Sequence, residues 1–479
     1  MTAEEEVVYL RQELAKAHAL IAQLRAEVEQ LRGSGSGSGL PAFIKPSTPK
    51  SKAQQPQDKP PRRKRAKDQN GSRKRDTPTR TVQHMLETCP DCAYPLRYPT
   101  LAKRRQVVEL PPPQPVDVTE HQLFRSWCAR CCKWHYASVD LSGQVLGHGR
   151  IGVRIASLIA YLSSCMRMPV RLIREYLYTI HNLTISAGEV VGLLHRVAEA
   201  PALKQGARDI QQQVRHSRVV YADETGWRQA GQNGYVWSFS TPAGERLYHY
   251  NRSRAGDIPK GILGFGSEFK GVLCSDFYCG YNNYEGEHQR CWAHLLRDLH
   301  ALKEDHPHNE EAIEWAKSVR KLYEQAKELL LPQELGPPQD DEAARHPHKH
   351  AQRQAAYRRL VAQAACLGRK YATAKQYDGH PCHALCKRLL RHQDELFQFM
   401  LVPGLSSNNN PAERSVRPVV VSRKVSGGTQ SPRGSATRMT LASVMGTWRA
   451  KKINPFDKCL AVLSQPQPQP LAPVPAPLF

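Results

Sequence analysis

Three carboxylates carry the chemistry that can be read from this chain. Asp223 ends the apolar run of VVYADETGW, Asp276 ends a second such run in GVLCSDFYCGYNNY, and Glu413 stands in SNNNPAERSVRP. An apolar run that stops at an acid reads as a buried strand delivering a carboxylate to its end, and Pro411 suits the first turn of a helix. Hard oxygen donors brought together from distant segments are what a two-metal phosphodiester site needs. They would hold two dications ~3.5–4 Å apart, one on the attacking and one on the leaving oxygen. An isolated Asp at a strand end is more often a turn or cap residue, so the surroundings matter. Glu413 and Arg417 are four residues apart on one helix face, where Arg417 can pair with the acid or contact phosphate. Arg414, Arg423, Lys424, Arg433 and Arg438 crowd the same region, and VSRKVSGGTQSPRG reads as a basic loop able to follow a DNA backbone. Glu224 adjoins Asp223 but points to the opposite side of a continuing strand, so no metal is assigned to it.

A second set of residues suits a softer metal. Cys89-Pro-Asp-Cys92 and Cys128-Ala-Arg-Cys131 form two CxxC turns separated by 35 residues. Each turn presents two thiolates to one ion, and the pair predicts a structural zinc ribbon on Cys89, Cys92, Cys128 and Cys131. Cys132 is an adjacent competitor that breaks the CxxC turn. A redox dithiol would need only one pair. Cys291 and His294, with Cys382 and Cys386, have the residue types for another zinc site, but their spacing is poor for a knuckle and core packing is the favoured reading. Trp227 and Trp292 are candidates for stacking on a splayed base, although aromatics beside strands and helices more often belong to the core.

Other elements must position these groups. Val7, Leu10, Leu14, Ala17, Ile21, Leu24, Val28 and Leu31 step by threes and fours, the a/d seam of a coiled-coil zipper over residues 1–32. A Gly-Ser run and a Pro-, Lys- and Arg-rich stretch make residues 33–80 a flexible basic linker suited to non-specific phosphate contact. Residues 81–145 form the zinc-binding domain, with strand-like pieces in RRQVVEL and VTEHQLFRSW. In 146–212 the pattern gives three short helices, the last opened by a capping box at Ser186 and Glu189 and carrying Val190, Val191, Leu194 and Val197 on its apolar face. Such a unit is either a helix-turn-helix reader or a helical subdomain packed beside the core. Strands RVVYAD, GYVWSFST, RLYHYN and KGVLCSD then mark the first part of an α/β core, 213–290. A helical insertion fills 291–400, with IEWAKSVRKLYEQAKELL and CKRLLRHQDELFQFM as helices around a polar, His-rich break. The core resumes over 401–463, before a Pro-rich tail, 464–479. Four strands with acids ending the first and fourth, and a third acid on a later helix, suit a ribonuclease H-like sheet within a multidomain α+β protein.

Composition agrees with a polyanionic partner. Lys and Arg number 68 against 44 acids, a formal net charge of +24, which favours nucleic acid over a membrane surface. The acidic start has no hydrophobic signal region, and the apolar run IGVRIASLIAYLSSC is too short to span a bilayer. Thirteen cysteines without an export signal argue for reduced thiols and metal ligands, hence a cytoplasmic protein with no membrane partner.

DETGW, SDFYCGYN, CWAHLLRDL and NNNPAERSVRP followed by SRK resemble the insertion-sequence-66 family of bacterial DDE transposases, and so does the order of the parts. The resemblance implies a ribonuclease H-like core with Asp223, Asp276 and Glu413 as its triad and Mg²⁺ or Mn²⁺ as its metals. Double-stranded DNA, both transposon ends and target, is the implied substrate. It implies hydrolysis at the transposon end and attack of the freed 3′-OH on target DNA, by a nucleoid-associated protein working at least as a dimer. It leaves open whether accessory proteins of the same element take part. The alternatives are a non-catalytic zinc-ribbon DNA-binding regulator, which the complete triad argues against, and a different ribonuclease H-like nuclease, for which zipper, ribbon and insertion are surplus.

Overall fold

The computed structural model describes residues 77–101, 104–110, 112–147, 149–330, 347–373 and 378–465. The heptad seam, most of the basic linker and residues 466–479 lie outside the described residues. The chain divides into two units, Met1–Leu110 and Pro111–Phe479, so the zinc-binding domain expected over 81–145 straddles the division.

In the first unit, a tight turn brings the Cys89 N–H to Tyr94 O and the Ala93 N–H back to Cys89 O, both 2.9 Å. The stretch RRQVVEL forms no strand. Val107, Val108 and Leu110 stay exposed, with no partner strand among the described residues to reward an extended pairing. The second unit begins with a two-stranded hairpin, β1 (Arg125–Cys128) and β2 (Lys133–Tyr136), in antiparallel register with Cys128 opposite Lys133.

Four helices precede the main sheet: α1 (Val153–Ser164), α2 (Val170–His181), α3 (Ala187–Glu199) and α4 (Pro201–Arg215). The Ser186 Oγ accepts the Glu189 N–H at 3.0 Å, as an N-cap should. The Glu189 carboxylate, however, pairs with Arg196 rather than reaching back, so only half of the capping box forms. Val190, Leu193, Leu194 and Val197 are buried while Val191 is exposed. The fourth helix was not expected. Pro201 in its first turn and the buried Leu203, Ile210 and Val214 account for it.

The main sheet has five strands in the order β5-β4-β3-β6-β7, with β3 Val219–Gln229, β4 Gln232–Ser240, β5 Arg246–Asn251, β6 Val272–Ser275 and β7 His288–Arg290. β3 pairs antiparallel with β4 and parallel with β6, and β6 is parallel to β7. β3 therefore lies at the centre, covered on both faces. Val219 and Tyr221 point into a core shared with the helical insertion, while Val220 and Ala222 point into a core shared with the α1–α4 helices and the C-terminal helices. This period of two explains the continuous apolar run before Asp223. β7 escaped the sequence reading because His288, Gln289 and Arg290 are polar, yet all three are buried.

The insertion comprises α6 (Trp292–Asp305), α7 (Glu310–Glu328), α8 (Pro347–Ala372) and α9 (His383–Arg391), following a short α5 (Asp257–Leu263) before β6. CKRLLRHQDELFQFM is not one helix. It ends at Arg391 and continues as two single 3-10 turns, because tertiary partners claim its backbone: Leu396 O accepts from Gln289 Nε2 at 3.1 Å and Trp292 Nε1 at 2.5 Å. The chain returns through α10 (Asn410–Ser426), α11 (Pro432–Ala450) and α12 (Pro455–Leu463).

VSRKVSGGTQSPRG is likewise not a loop throughout. Its first six residues finish α10, and Gly427 closes the helix at φ 73°. Gly428 then passes so close to β3 that a Cβ there would sit 2.2 Å from Arg228 O. The reason is pairing, since Thr429 N–H donates to Arg228 O at 2.9 Å and Ala230 N–H to Thr429 O at 2.8 Å.

Candidate active site

The register of the sheet places two of the acids. Tyr221 pairs with Cys274 across the parallel β3–β6 ladder, and Asp223 and Asp276 each follow two residues later. They occupy equivalent positions just past the parallel ladder: Asp276 follows the end of β6, while β3 runs on past Asp223 to Gln229, paired there with β4. The third acid comes from the first turn of α10. Asn409 sets that turn against the sheet: its Nδ2 donates to Ala222 O at 2.7 Å, one residue before Asp223, and its N–H reaches Cys291 Sγ at 3.1 Å. Asn409 is buried, and sequence reasoning passed over it although an Asn ahead of a Pro-containing first turn is a helix-cap signature.

The electrostatics show that the carboxylates feel one another. Burial first, and then the charges of Glu224, Asp276 and Glu413, push the Asp223 carboxyl up to about 8. Burial and then the Asp276 charge raise Glu224 as well, against the pull of Tyr281 and Arg254. Glu224 lies on the opposite face of β3 from Asp223, and both its oxygens are taken. Arg254 donates to Oε1, at 2.5 Å from Nη2 and 3.1 Å from Nε, and the Tyr281 hydroxyl donates to Oε2 at 2.5 Å. A half-buried cluster of anions that repel one another fits hard divalent cations, with Asp223, Asp276 and Glu413 as the available oxygen donors. Among the described residues only Cys128, Cys131 and His135 bring three ligand atoms within 4.8 Å of one another. Asp223, Asp276 and Glu413 do not come that close together.

The remaining candidates divide. Arg414, Arg417 and Lys424 are exposed on α10, whereas Arg423 turns inward, its Nη1 donating to Gly226 O and, at 3.2 Å, to Thr225 Oγ1. Arg433 is engaged by Glu199 at 2.7 Å, and burial lowers Arg438, which donates to Ser163 O at 3.0 Å. Glu413 has His294 beside it, Nε2 to Oε1 3.8 Å. Trp227 is 1 % exposed and donates to Thr429 Oγ1 at 3.1 Å, so the base-stacking role is overturned in favour of the core. Trp292 stacks on Tyr323 inside the insertion core. Cys291, Cys382 and Cys386 are buried in the core as well, consistent with packing rather than a second zinc.

The α1–α4 helices share one core with the sheet. His195 of α3 meets Thr437 Oγ1 at 2.7 Å, and Glu199 holds Arg433. The helix that would read DNA is thus committed on one face to the C-terminal part of the core, which supports the packed helical subdomain over an independent reader.

At the CxxC turns, backbone N–H groups of Asp91 and Cys92 lower the Cys89 thiol, and those of Cys131 and Arg130 lower Cys128. Thiolates supported in this way are ready metal ligands. His135, on β2, is the residue that the sequence reading missed beside the second pair.

Residues 148–437 match the family model of the transposase IS66 family. That span covers more than half of the 479 residues and includes all three acids, and the chain belongs to this family. The activity class is therefore that of a transposase, with DNA as the substrate class. No curated protein matches the chain. Among the described residues, no helix is long and apolar enough to cross a membrane.

Proposed function

We propose that the protein cuts the ends of a DNA transposon and joins the freed 3′-OH to target DNA, using Asp223, Asp276 and Glu413 as the ligands of two Mg²⁺ or Mn²⁺ ions. The observation that carries this reading is the equivalence of Asp223 and Asp276 on adjacent parallel strands, each two residues past the Tyr221–Cys274 pair that closes their shared ladder. The strand order, three antiparallel strands followed by two parallel ones beside the first, supports a ribonuclease H-like core. When bound, the dications would activate the attacking oxygen and stabilise the leaving one. The residues themselves do the rest. Asn409 holds the start of α10, which carries Glu413, on Ala222 O beside Asp223. Arg290 fixes the backbone at Asp276 by donating to its carbonyl at 2.9 Å. Arg414, Arg417 and Lys424 offer an exposed basic face for the DNA backbone.

Zinc at the CxxC turns, Cys89 with Cys92 and Cys128 with Cys131, is part of the same proposal, as is assembly at least into a dimer. The heptad seam supports the latter, and holding two transposon ends together requires it. The test is single-turnover cleavage of a labelled duplex carrying the element's terminal repeat, in Mg²⁺, with Asp276→Asn alongside. Wild type should nick the end and transfer the strand, and Asp276→Asn should do neither. Equal activity of the two would sink the reading.

A further inference from the structure

Arg254 was singled out by no motif, yet it is closely held beside Asp276 and Glu224. It lies just past β5, and its guanidinium is fixed from two sides. Both Nε and Nη2 bind Glu224 Oε1, and the plane lies over the Tyr278 ring with 3.8 Å from Cζ to the centroid. The Tyr278 hydroxyl returns a bond to Arg254 O at 2.5 Å, while the Tyr278 N–H donates to Asp276 Oδ1 at 2.9 Å. A continuous set of contacts thus joins Asp276 to Tyr278, Arg254, Glu224 and Tyr281, and Glu224 is the neighbour of Asp223. The backbone is fixed as well. A Cβ on Gly256 would sit 2.7 Å from both Asn283 Nδ2 and Gly280 O, so the segment packs tightly on the turn after Asp276.

The two halves of this pair differ in exposure. The Glu224 side chain is 3 % exposed, and that of Arg254 is 43 % exposed. A buried acid whose oxygens are fully engaged is unavailable to a metal. A guanidinium that spends one edge on that acid and one face on a tyrosine keeps its remaining N–H groups for solvent or ligand. The side chain is ordered before any ligand arrives, which lowers the entropic cost of binding one. Resting on the transposase reading above, we infer that Arg254 receives a phosphate of the DNA strand beside the cut, with Glu224 as the positioning residue that aims it. A purely structural role, neutralising Glu224, would be met by a buried arginine and would not need nearly half the side chain in water.

Two readouts separate these roles. One is binding of the terminal-repeat duplex without divalent cation across a salt series, where each phosphate contact contributes a slope of ~0.9 in log K against log salt. The other is single-turnover cleavage in Mg²⁺. Arg254→Ala should flatten the slope by ~0.9 and slow cleavage at least tenfold. Arg254→Lys should restore the slope but only part of the rate, since the lysine cannot span Glu224 and the phosphate together. Glu224→Gln, nearly isosteric, should keep the slope and slow the rate. The double variant Arg254→Met/Glu224→Gln should remain slow. Recovery of cleavage in that double variant, or an unchanged slope in Arg254→Ala with a wild-type melting curve, would overturn the inference. Wild type that binds the duplex but never cuts it would refute the transposase chemistry, leaving the slope to decide Arg254. An Arg254→Ala protein that does not fold leaves the Arg254→Lys and Glu224→Gln pair to decide it, and wild-type rates in both would refute it.

Discussion

Replacing Glu395 with Gln removes the counter-charge of a buried arginine and should destabilise the core by an amount that depends on pH in a stated way. Arg290 ends β7 and is 1 % exposed. Its Nε donates to Glu395 Oε2 at 2.5 Å, Nη2 to Asn282 Oδ1 at 2.6 Å and Nη1 to Asp276 O at 2.9 Å. Burial alone would raise the Glu395 carboxyl. A hydrogen bond with His392 and the charges of Arg290 and His288 outweigh it and hold the group at about 2, against an ordinary 4.5. At ~1.4 kcal/mol per pH unit, that difference corresponds to about 3 kcal/mol of stability. Partial access of water to Glu395 reduces it, and a loss of ~2–3 kcal/mol is expected for Glu395→Gln at pH 7. Because the folded carboxyl titrates lower than the unfolded one, this stability is complete above 4.5 and is lost as pH falls toward 2. Urea unfolding of both proteins should therefore show a constant gap from pH 7 to 5 that has narrowed by more than half at pH 3. A gap below ~0.5 kcal/mol at pH 7, or one that widens on acidification, would refute the reasoning.

Other outcomes follow from the same geometry. Mg²⁺ should raise the melting temperature of wild type in a thermal-shift assay, and Asp223→Asn should melt higher than wild type without metal yet respond little to it. Its sign comes from a carboxyl held at about 8, whose ionisation opposes folding above the ordinary 3.8. Asn409→Ala should cost ~1 kcal/mol as the lost hydrogen bond to Ala222 O and slow cleavage further than that stability loss explains, since the start of α10 loses its support beside Asp223. Trp227→Ala should destabilise by ~3–5 kcal/mol while Trp227→Phe, measured by duplex binding, leaves DNA affinity unchanged. Cobalt substitution should give thiolate charge-transfer absorption that weakens in both Cys128→Ser and Cys131→Ser.

The acids were legible because burial leaves a pattern. A central strand covered on both faces is apolar where it crosses the core, so the first charged residue of VVYAD and VLCSD marks where that run stops, although β3 itself continues to Gln229. Helix caps were legible for the same local reason, as with Ser186. What escaped was decided by distant partners. β7 is built from polar residues, and it is a strand only because Gln289 and Arg290 find Leu396, Glu395 and Asp276. The helix through CKRLLRHQDELFQFM broke where those same partners claimed its backbone. The basic Gly-containing stretch after α10 looked like a loop for DNA, yet its glycines serve a close backbone approach to Arg228. Local composition does not distinguish a free basic residue from one already engaged, and Arg423, Arg433 and Arg438 were each engaged. Glu224 and Arg254 escaped for the complementary reason, since their roles arise from a pairing thirty residues apart.

The most direct test of the account is a change of metal preference. Asp223→Cys should fail to cut the terminal-repeat duplex in Mg²⁺ and regain cleavage in the more thiophilic Mn²⁺, because softer ligands favour softer ions. Full activity of Asp223→Cys in Mg²⁺, or cleavage by wild type in the presence of a chelator, would contradict the assignment of Asp223 as a metal ligand and with it the two-metal site.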